Sequence, residues 1–225
     1  MKRVLLTSVF LISGYWMALS QSDWGSSFGV EISKKIKPKL NLSLEEEFRL
    51  RDNFSTAERL SSALELGYKP WKFIKLGGAY TLINYNHSTK GWELRHRYYF
   101  YALGTCKTNN IRLSLRERFQ STYRQGVEAT STRANPKNYL RSRLKIEYDI
   151  PKSHFEPYCS AEFYNTLNDP QENTMNKVHY SFGTAYQINK RNTLDFYYRY
   201  TSFPEDDDLS GKNMICFGYS FSLDK

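Results

Sequence analysis

His179 and Ser181 are separated by a single residue, Tyr180. On an extended chain, side chains two apart project from the same face. An imidazole held beside a hydroxyl can take its proton and prepare the oxygen for attack on an ester carbonyl. This is the chemistry of a lipid hydrolase, and it needs a third group to orient the ring. Glu162, on the preceding extended segment, is the residue that could supply it. Against this stands the phase of the segment. His179 and Ser181 share a face with polar residues, away from the apolar face that a lipid ester would approach. A lone His-x-Ser is also a weak signal. The expectation is therefore a protein that is not an enzyme, with a lipid-modifying hydrolase using His179, Ser181 and Glu162 as the alternative. No glycine-rich phosphate loop, metal-ligand cluster or redox motif occurs, so neither a metal nor any other cofactor is expected.

The elements that carry these residues alternate with period two. In 40–50, Leu40, Leu42, Leu44, Phe48 and Leu50 share one face, and Asn41, Ser43, Glu45, Glu47 and Arg49 share the other. In 111–119, Ile111, Leu113, Leu115 and Phe119 oppose Arg112, Ser114, Arg116 and Arg118. In 140–150, Leu140, Leu144, Ile146, Tyr148 and Ile150 oppose Arg141, Arg143, Lys145, Glu147 and Asp149. The same pattern recurs at 60–68, 74–82, 92–102, 178–188, 194–200 and 213–223. Such alternation marks strands with one apolar and one polar face. Globular strands favour about 5–6 residues, whereas a tilted membrane-crossing strand needs about 9–11. The segments at 140–150 and 213–223 have the longer kind of length. Short connections (69–71, 104–110, 151–153, 189–192) alternate with longer ones (51–58, 84–91, 124–138, 167–177, 203–212), as periplasmic turns alternate with extracellular loops. The reading is an all-β, transmembrane antiparallel β-barrel of roughly 10–12 strands.

The strand count is awkward. Ten segments from residue 39 onward close as an even barrel. Residues 24–36 form an eleventh, joined by a tight turn at Lys37-Pro38, and odd counts are unusual in single-chain bacterial barrels. Either this segment packs elsewhere, for instance in the lumen, or a short strand has escaped notice.

The N-terminus reads as an export signal. Lys2 and Arg3 precede an apolar stretch from Val4 to Leu19, and Ala18 and Ser20 place small residues at a cleavage site before Gln21. Residues 1–20 are expected to be removed, leaving 21–225 as a single outer-membrane barrel domain, with the cell outer membrane as its location. Loss of Lys2 and Arg3 takes the net charge from +9 to +7. The three cysteines, Cys106, Cys159 and Cys216, are widely spaced and suggest neither a disulfide framework nor a zinc site. The acidic stretch 205–213 (EDDDLSGKN) reads as a solvated loop rather than a cation site.

A sheet inside lipid must close, with apolar residues outward and charges inward. Sorting by phase sends Arg49, Arg59, Lys75, Arg95, Arg97, Arg112, Arg116, Arg118, Arg141, Arg143, Lys145 and Arg199 to the lumen. It sends Glu45, Glu47, Glu65, Glu93, Glu147, Glu156, Glu162 and Asp195 there too. The lumen charge network expected from this is either a plug of ion pairs, with a structural or scaffold role, or a narrow pore that prefers small anionic solutes. Cations that alternate around many strands do not gather on one exposed surface, so nucleic acid is not an expected partner. Outer-membrane lipid and the barrel-assembly machinery are. The segment WELRHRYYFYAL (92–103) splits likewise: Glu93, Arg95, Arg97, Tyr99 and Tyr101 face inward, with Trp92 an interfacial anchor on the other side. Glu46, His96 and Glu117 break the phase by falling on apolar faces, and a β-bulge turning each inward is the expected resolution. A soluble periplasmic ligand-binding barrel, with every face inverted, is the remaining alternative.

The runs LSLEEEFRLRDNFS (42–55), WELRHRYYF (92–100), LSLRERFQ (113–120) and FGYSFSL (217–223) resemble the domain of unknown function 2490 family. Its members are chiefly exported proteins of Bacteroidetes-type bacteria. The resemblance implies an outer-membrane β-barrel over the chain from residue 22 onward. It brings no substrate or catalytic residue. The chain departs from the commonest barrel ending, a terminal aromatic, because Asp224 and Lys225 follow Leu223.

Overall fold

The computed structural model describes residues 23–128, 130–169, 174–204 and 211–224. The expected signal peptide and the 205–210 part of the acidic loop lie outside the described residues. Eleven strands are present among the described residues. They are β1 (Asp23–Lys37), β2 (Leu40–Arg51), β3 (Thr56–Trp71), β4 (Ile74–His87), β5 (Gly91–Thr108), β6 (Ile111–Arg124), β7 (Lys137–Tyr148), β8 (Phe155–Thr166), β9 (Met175–Gln187), β10 (Asn192–Ser202) and β11 (Lys212–Ser222). Each pairs antiparallel with its sequence neighbours, and β1 closes the sheet against β11. The only helical element described is one 3-10 turn, Thr132–Ala134.

The awkward eleventh segment is a wall strand, not a luminal insert. Strands that go up and down in turn alternate in direction, so with eleven the first and last run the same way. β1 and β11 therefore pair in parallel, in unbroken register from Asp23 opposite Lys212 to Ser33 opposite Ser222. Parallel ladders are slightly weaker per residue, and this one is long. It is pinned at its end, where Leu223 donates its N–H to the Ser33 carbonyl and Lys35 donates its N–H to Asp224 Oδ2 at 2.7 Å.

Two of the expected long connections are short. β2 and β3 are joined by 52–55, with Asp52, Asn53 and Phe54 at positive φ, and β4 and β5 by 88–90. The strands simply run further than their hydrophobic pattern, and β5 reaches 18 residues. The gaps from β6 to β7, β8 to β9 and β10 to β11 remain longer, and the strand ends that flank them all lie at the rim where β1 begins.

The apolar residues are outside. Phe100 is 63% exposed, Phe182 59% and Leu64 52%, with Phe28, Leu115, Leu144, Leu194 and Phe217 among many others. Trp71 and Phe73 stack at one rim, and Trp92 stands exposed at the other. The polar residues are the buried ones: Ser27, Ser61, Thr81, Gln120, Glu162, His179 and Ser181. A soluble ligand-binding barrel needs the opposite, so that alternative fails on the orientation of the faces. One close approach shapes the interior. A Cβ at Gly77 would stand 2.4 Å from the Tyr101 ring opposite it. Only glycine leaves room for that tyrosine to lie against the wall.

No bulge rescues the three misfits. Pairing runs without a register shift through Glu46, His96 and Glu117; the shifts fall at Lys35/Lys37, Arg49/Leu50, Tyr68/Trp71 and Tyr164/Asn165. Each misfit stays outside and takes a partner from an adjacent strand or loop. Ser62 donates to Glu46 at 2.7 Å and Ser142 to Glu117 at 2.6 Å, both directly cross-strand. His96 hydrogen-bonds Tyr80 and Gln125, and stacks on Tyr123 at 4.8 Å. A neighbouring hydroxyl partly satisfies the carboxylate, so the sheet need not deform.

Candidate functional site in the lumen

The lumen is built from the inward residues of every strand, which the two-residue period places in register around the interior. Carboxylates there act as shared anchors. Glu47 on β2 accepts from Arg49 at 2.9 Å, from Arg59 on β3 and from Ser27 on β1 at 2.8 Å. Glu162 on β8 accepts from Arg116 on β6 and from Arg141 on β7, the latter at 2.9 Å. Glu93 near the long-loop rim holds Arg95 at 3.0 Å and gathers Arg124 from the end of β6 and Arg133 from within the 125–136 connection. Glu65 takes Lys75 at 3.1 Å and the hydroxyls of Tyr99 and Tyr101 at 2.8 and 2.6 Å. Toward the short-turn rim, Arg112 lies 3.8 Å from Glu147 and 3.7 Å from Glu156.

Between these anchors is a cavity of 510 Å³. Twelve Arg and Lys side chains line it, against three carboxylates, Glu45, Glu47 and Glu162. The sharing described above leaves several cations without an acidic partner among the described residues. Arg97 bonds only the Thr122 hydroxyl, at 3.0 Å. Arg118 stands over the Tyr99 ring at 3.9 Å, and Lys177 sits over Tyr164 at 4.8 Å. Arg199 donates to the Tyr197 hydroxyl at 3.0 Å, and Arg143 makes no ion pair. Ring faces thus hold cations where carboxylates are lacking, an attraction of about 0.5–2 kcal/mol each.

Of the residues singled out from the sequence, Glu45, Glu47, Arg49, Arg59, Arg95, Arg97, Arg116, Arg118, Arg141, Arg143, Glu162, His179 and Arg199 line this cavity; Glu93 and Arg112 lie in the networks toward its two rims. Lys177, Arg124 and Lys137 also line it and were missed. Lys177 has the phase of His179, and extending that segment by one residue would have found it.

Ser181 does not line the cavity. His179 Nδ1 is buried without a hydrogen-bond partner, and Glu162, directly opposite His179 on β8, is engaged by two arginines. Among the described residues, no hydrogen bond joins His179 to Ser181 or to Glu162. Cys106, Cys159 and Cys216 are free thiols.

A closed barrel with apolar side chains outside and a charged, cavity-bearing interior has the build of a porin. A solved structure of the NanC porin in a rhombohedral crystal form matches with a TM-score of 0.55, over 89% of this chain and 99% of that one, at 15% sequence identity. At that identity the match shows a shared fold alone. The chain belongs to the family described as protein of unknown function (DUF2490), matched over residues 16–210. No curated protein matches it in sequence.

Proposed function

We propose that this protein is an outer-membrane channel of small bore whose lumen favours anions. The observation that carries the reading is the twelve-to-three excess of cationic over acidic side chains around the central cavity. Rings of Arg and Lys select anions by lowering the cost of leaving water and raising that of a cation's entry. Two further features support the membrane setting. Large apolar side chains stand exposed around the outer face, where water would penalise them and hydrocarbon would not. Aromatic residues mark both rims, as interfacial anchors do. Lipid is then the partner of the outer face, and the assembly machinery would receive β11 with its outward Phe217, Tyr219 and Phe221.

Planar-bilayer recording of the purified, refolded barrel under a potassium chloride gradient tests this. The expected result is a small conductance whose reversal potential has the sign for chloride. A folded, heat-modifiable barrel that stays silent would return the lumen to a plug with a scaffold role. A cation-selective current would overturn the reading of the charges.

A further inference from the structure

The lumen is not uniformly cationic, and the position of its unpaired charges is informative. Lys177 and His179 project inward from neighbouring inward positions of β9. Arg199 projects from β10, where it pairs in register with Ser181, the next inward residue beyond His179. Arg97 reaches in from β5, on the far side of the sheet's order. These side chains act on one another electrostatically. Arg97 is among the charges near Lys177, and Lys177, Arg199 and Arg141 are near His179, which also faces Glu162 across the β8–β9 pairing. All four residues line the cavity.

Like charges brought together repel, and a closed wall limits how far their side chains can move apart. The carboxylates near them are already shared, Glu47 between Arg49 and Arg59 and Glu162 between Arg116 and Arg141. Arg97, Lys177 and Arg199 have no acid among the described residues. His179, only 8% exposed, leaves Nδ1 without a partner. A buried polar atom with no partner costs about 1–3 kcal/mol unless something else meets it. The lining here offers donors and positive charge in excess of the acids that could meet them.

The chemistry of an anion that suits them follows from the donors. Lys177, His179 and Arg199 come from the adjacent strands β9 and β10 and Arg97 from β5, four strands further round, so the donors approach from two sides. A carboxylate presents its acceptors in a plane, whereas a tetrahedral oxyanion presents them in all directions. A single negative charge would also leave most of the excess uncompensated. Stacking on aromatic faces is largely foreclosed. Tyr99 is covered by Arg118, Tyr164 by Arg141 and Lys177, Tyr197 is approached by Arg199, and Tyr139 packs edge-on against Tyr164. A base or sugar ring would have to displace a cation to lie there.

We propose that Arg97, Lys177, His179 and Arg199 form a saturable site for a compact tetrahedral oxyanion, a phosphate group, held in the cavity they line. The site deepens the channel reading, which needs only an excess of positive charge, by adding a fixed station with affinity of its own. A free phosphate ion and the phosphate group of a small ester present the same chemistry to these donors.

Two measurements test it on the full barrel. The first is chloride conductance titrated with inorganic phosphate at constant ionic strength. The second is thermal unfolding in detergent with and without phosphate, which requires no current. Wild type is expected to show saturable block of the chloride current and a phosphate-dependent rise in unfolding temperature. Acetate at equal concentration should do neither. Glycerol phosphate matching inorganic phosphate would extend the site to esters, and its failure would restrict the site to the free ion; either result retains the site. Arg97→Gln and Lys177→Gln should each weaken the phosphate midpoint roughly tenfold or more, about 1.4 kcal/mol or more, while Lys107→Gln at the short-turn rim leaves it unchanged. Because removing a cation from a repelling cluster should not impair folding, these variants remain informative. Chloride current with no block and no phosphate stabilisation would overturn the site and leave the channel. Phosphate stabilisation without current would overturn the channel and leave the site. Equal stabilisation of wild type and both variants would mean that phosphate acts elsewhere, and would overturn the site.

Discussion

The wall made by β1–β3 and the wall made by β5–β7 have the same backbone and opposite charge economies. On the first, the inward acids Glu31, Glu45, Glu47 and Glu65 stand among the cations Arg49, Arg51 and Arg59, and Glu31 and Glu45 are direct cross-strand neighbours. On the second, Arg95, Arg97, Arg112, Arg116, Arg118, Arg124, Arg141, Arg143 and Lys145 face inward with only Glu93 and Glu147. Some of its cations pair in register with one another, Arg116 opposite Arg143 and Arg118 opposite Arg141. A lumen evolved only to be filled would give each of these arginines its own acid, and of the four only Arg143 has one directly opposite, Glu162. Instead the second wall borrows Glu162 from β8 and rests Arg118 on a tyrosine ring. The difference teaches that packing alone does not set the charges: one wall is close to neutral, and the other is left positive toward the cavity.

The comparison breaks most severely at the borrowed acid. Glu162→Gln strips Arg116 and Arg141 of their shared partner in a site where the glutamate side chain is 9% exposed. Removing one partner of a buried pair costs about 3–5 kcal/mol, and the lower end is expected here because the lumen admits some water. Glu47→Gln, on the balanced wall, should cost less, since the Glu47 side chain is more exposed at 14%. Urea unfolding of both variants in detergent checks the order. Equal losses would mean that the two walls do not differ in how much they depend on a single acid.

Selectivity offers a test of opposite sign. Arg118→Gln removes a cation with no acidic partner from the positive wall and should lower the chloride preference. Glu45→Gln removes a carboxylate with no ion pair among the described residues from the other wall and should raise it. Each is a one-charge change in a lining of twelve cations and three acids, so the shifts in reversal potential should be modest and opposed. Shifts in the same direction would show that the two walls do not act on one passage.

Much of this was legible before any coordinates. The faces of 40–50, 111–119 and 140–150 follow from a period of two, because strand geometry leaves side chains no other choice. What stayed hidden needs register. That Arg116 meets Glu162, 46 residues on, depends on two intervening strand pairings that no local pattern encodes. The parallel closure of β1 on β11 was hidden for the same reason, since no turn joins them. The bulges expected at Glu46, His96 and Glu117 came from treating an outward charge as intolerable on its own. The missing signal was cross-strand: Ser62 and Ser142 interrupt the leucine faces of β3 and β7, and each proves to sit opposite a glutamate.

Those outward pairs give the smallest and cleanest effect, because they stand apart from both walls of the lumen. A carboxylate on a lipid-facing strand costs less than a cation would, and the hydroxyl beside it recovers part of the loss. Glu46→Leu should therefore stabilise the barrel by about 1 kcal/mol in phospholipid vesicles, with no change in conductance. Ser62→Ala alone should destabilise by about 1 kcal/mol, since it leaves the carboxylate without its donor. In the Glu46→Leu background the same serine change should be nearly neutral. The double-mutant cycle isolates the pair, because the two residues touch each other outside the barrel and nothing in the lumen. A Glu46→Leu variant that unfolds more readily in vesicles would mean that this carboxylate meets a protein surface there and not lipid. The outer face would then be a second place where charge has been arranged for a partner.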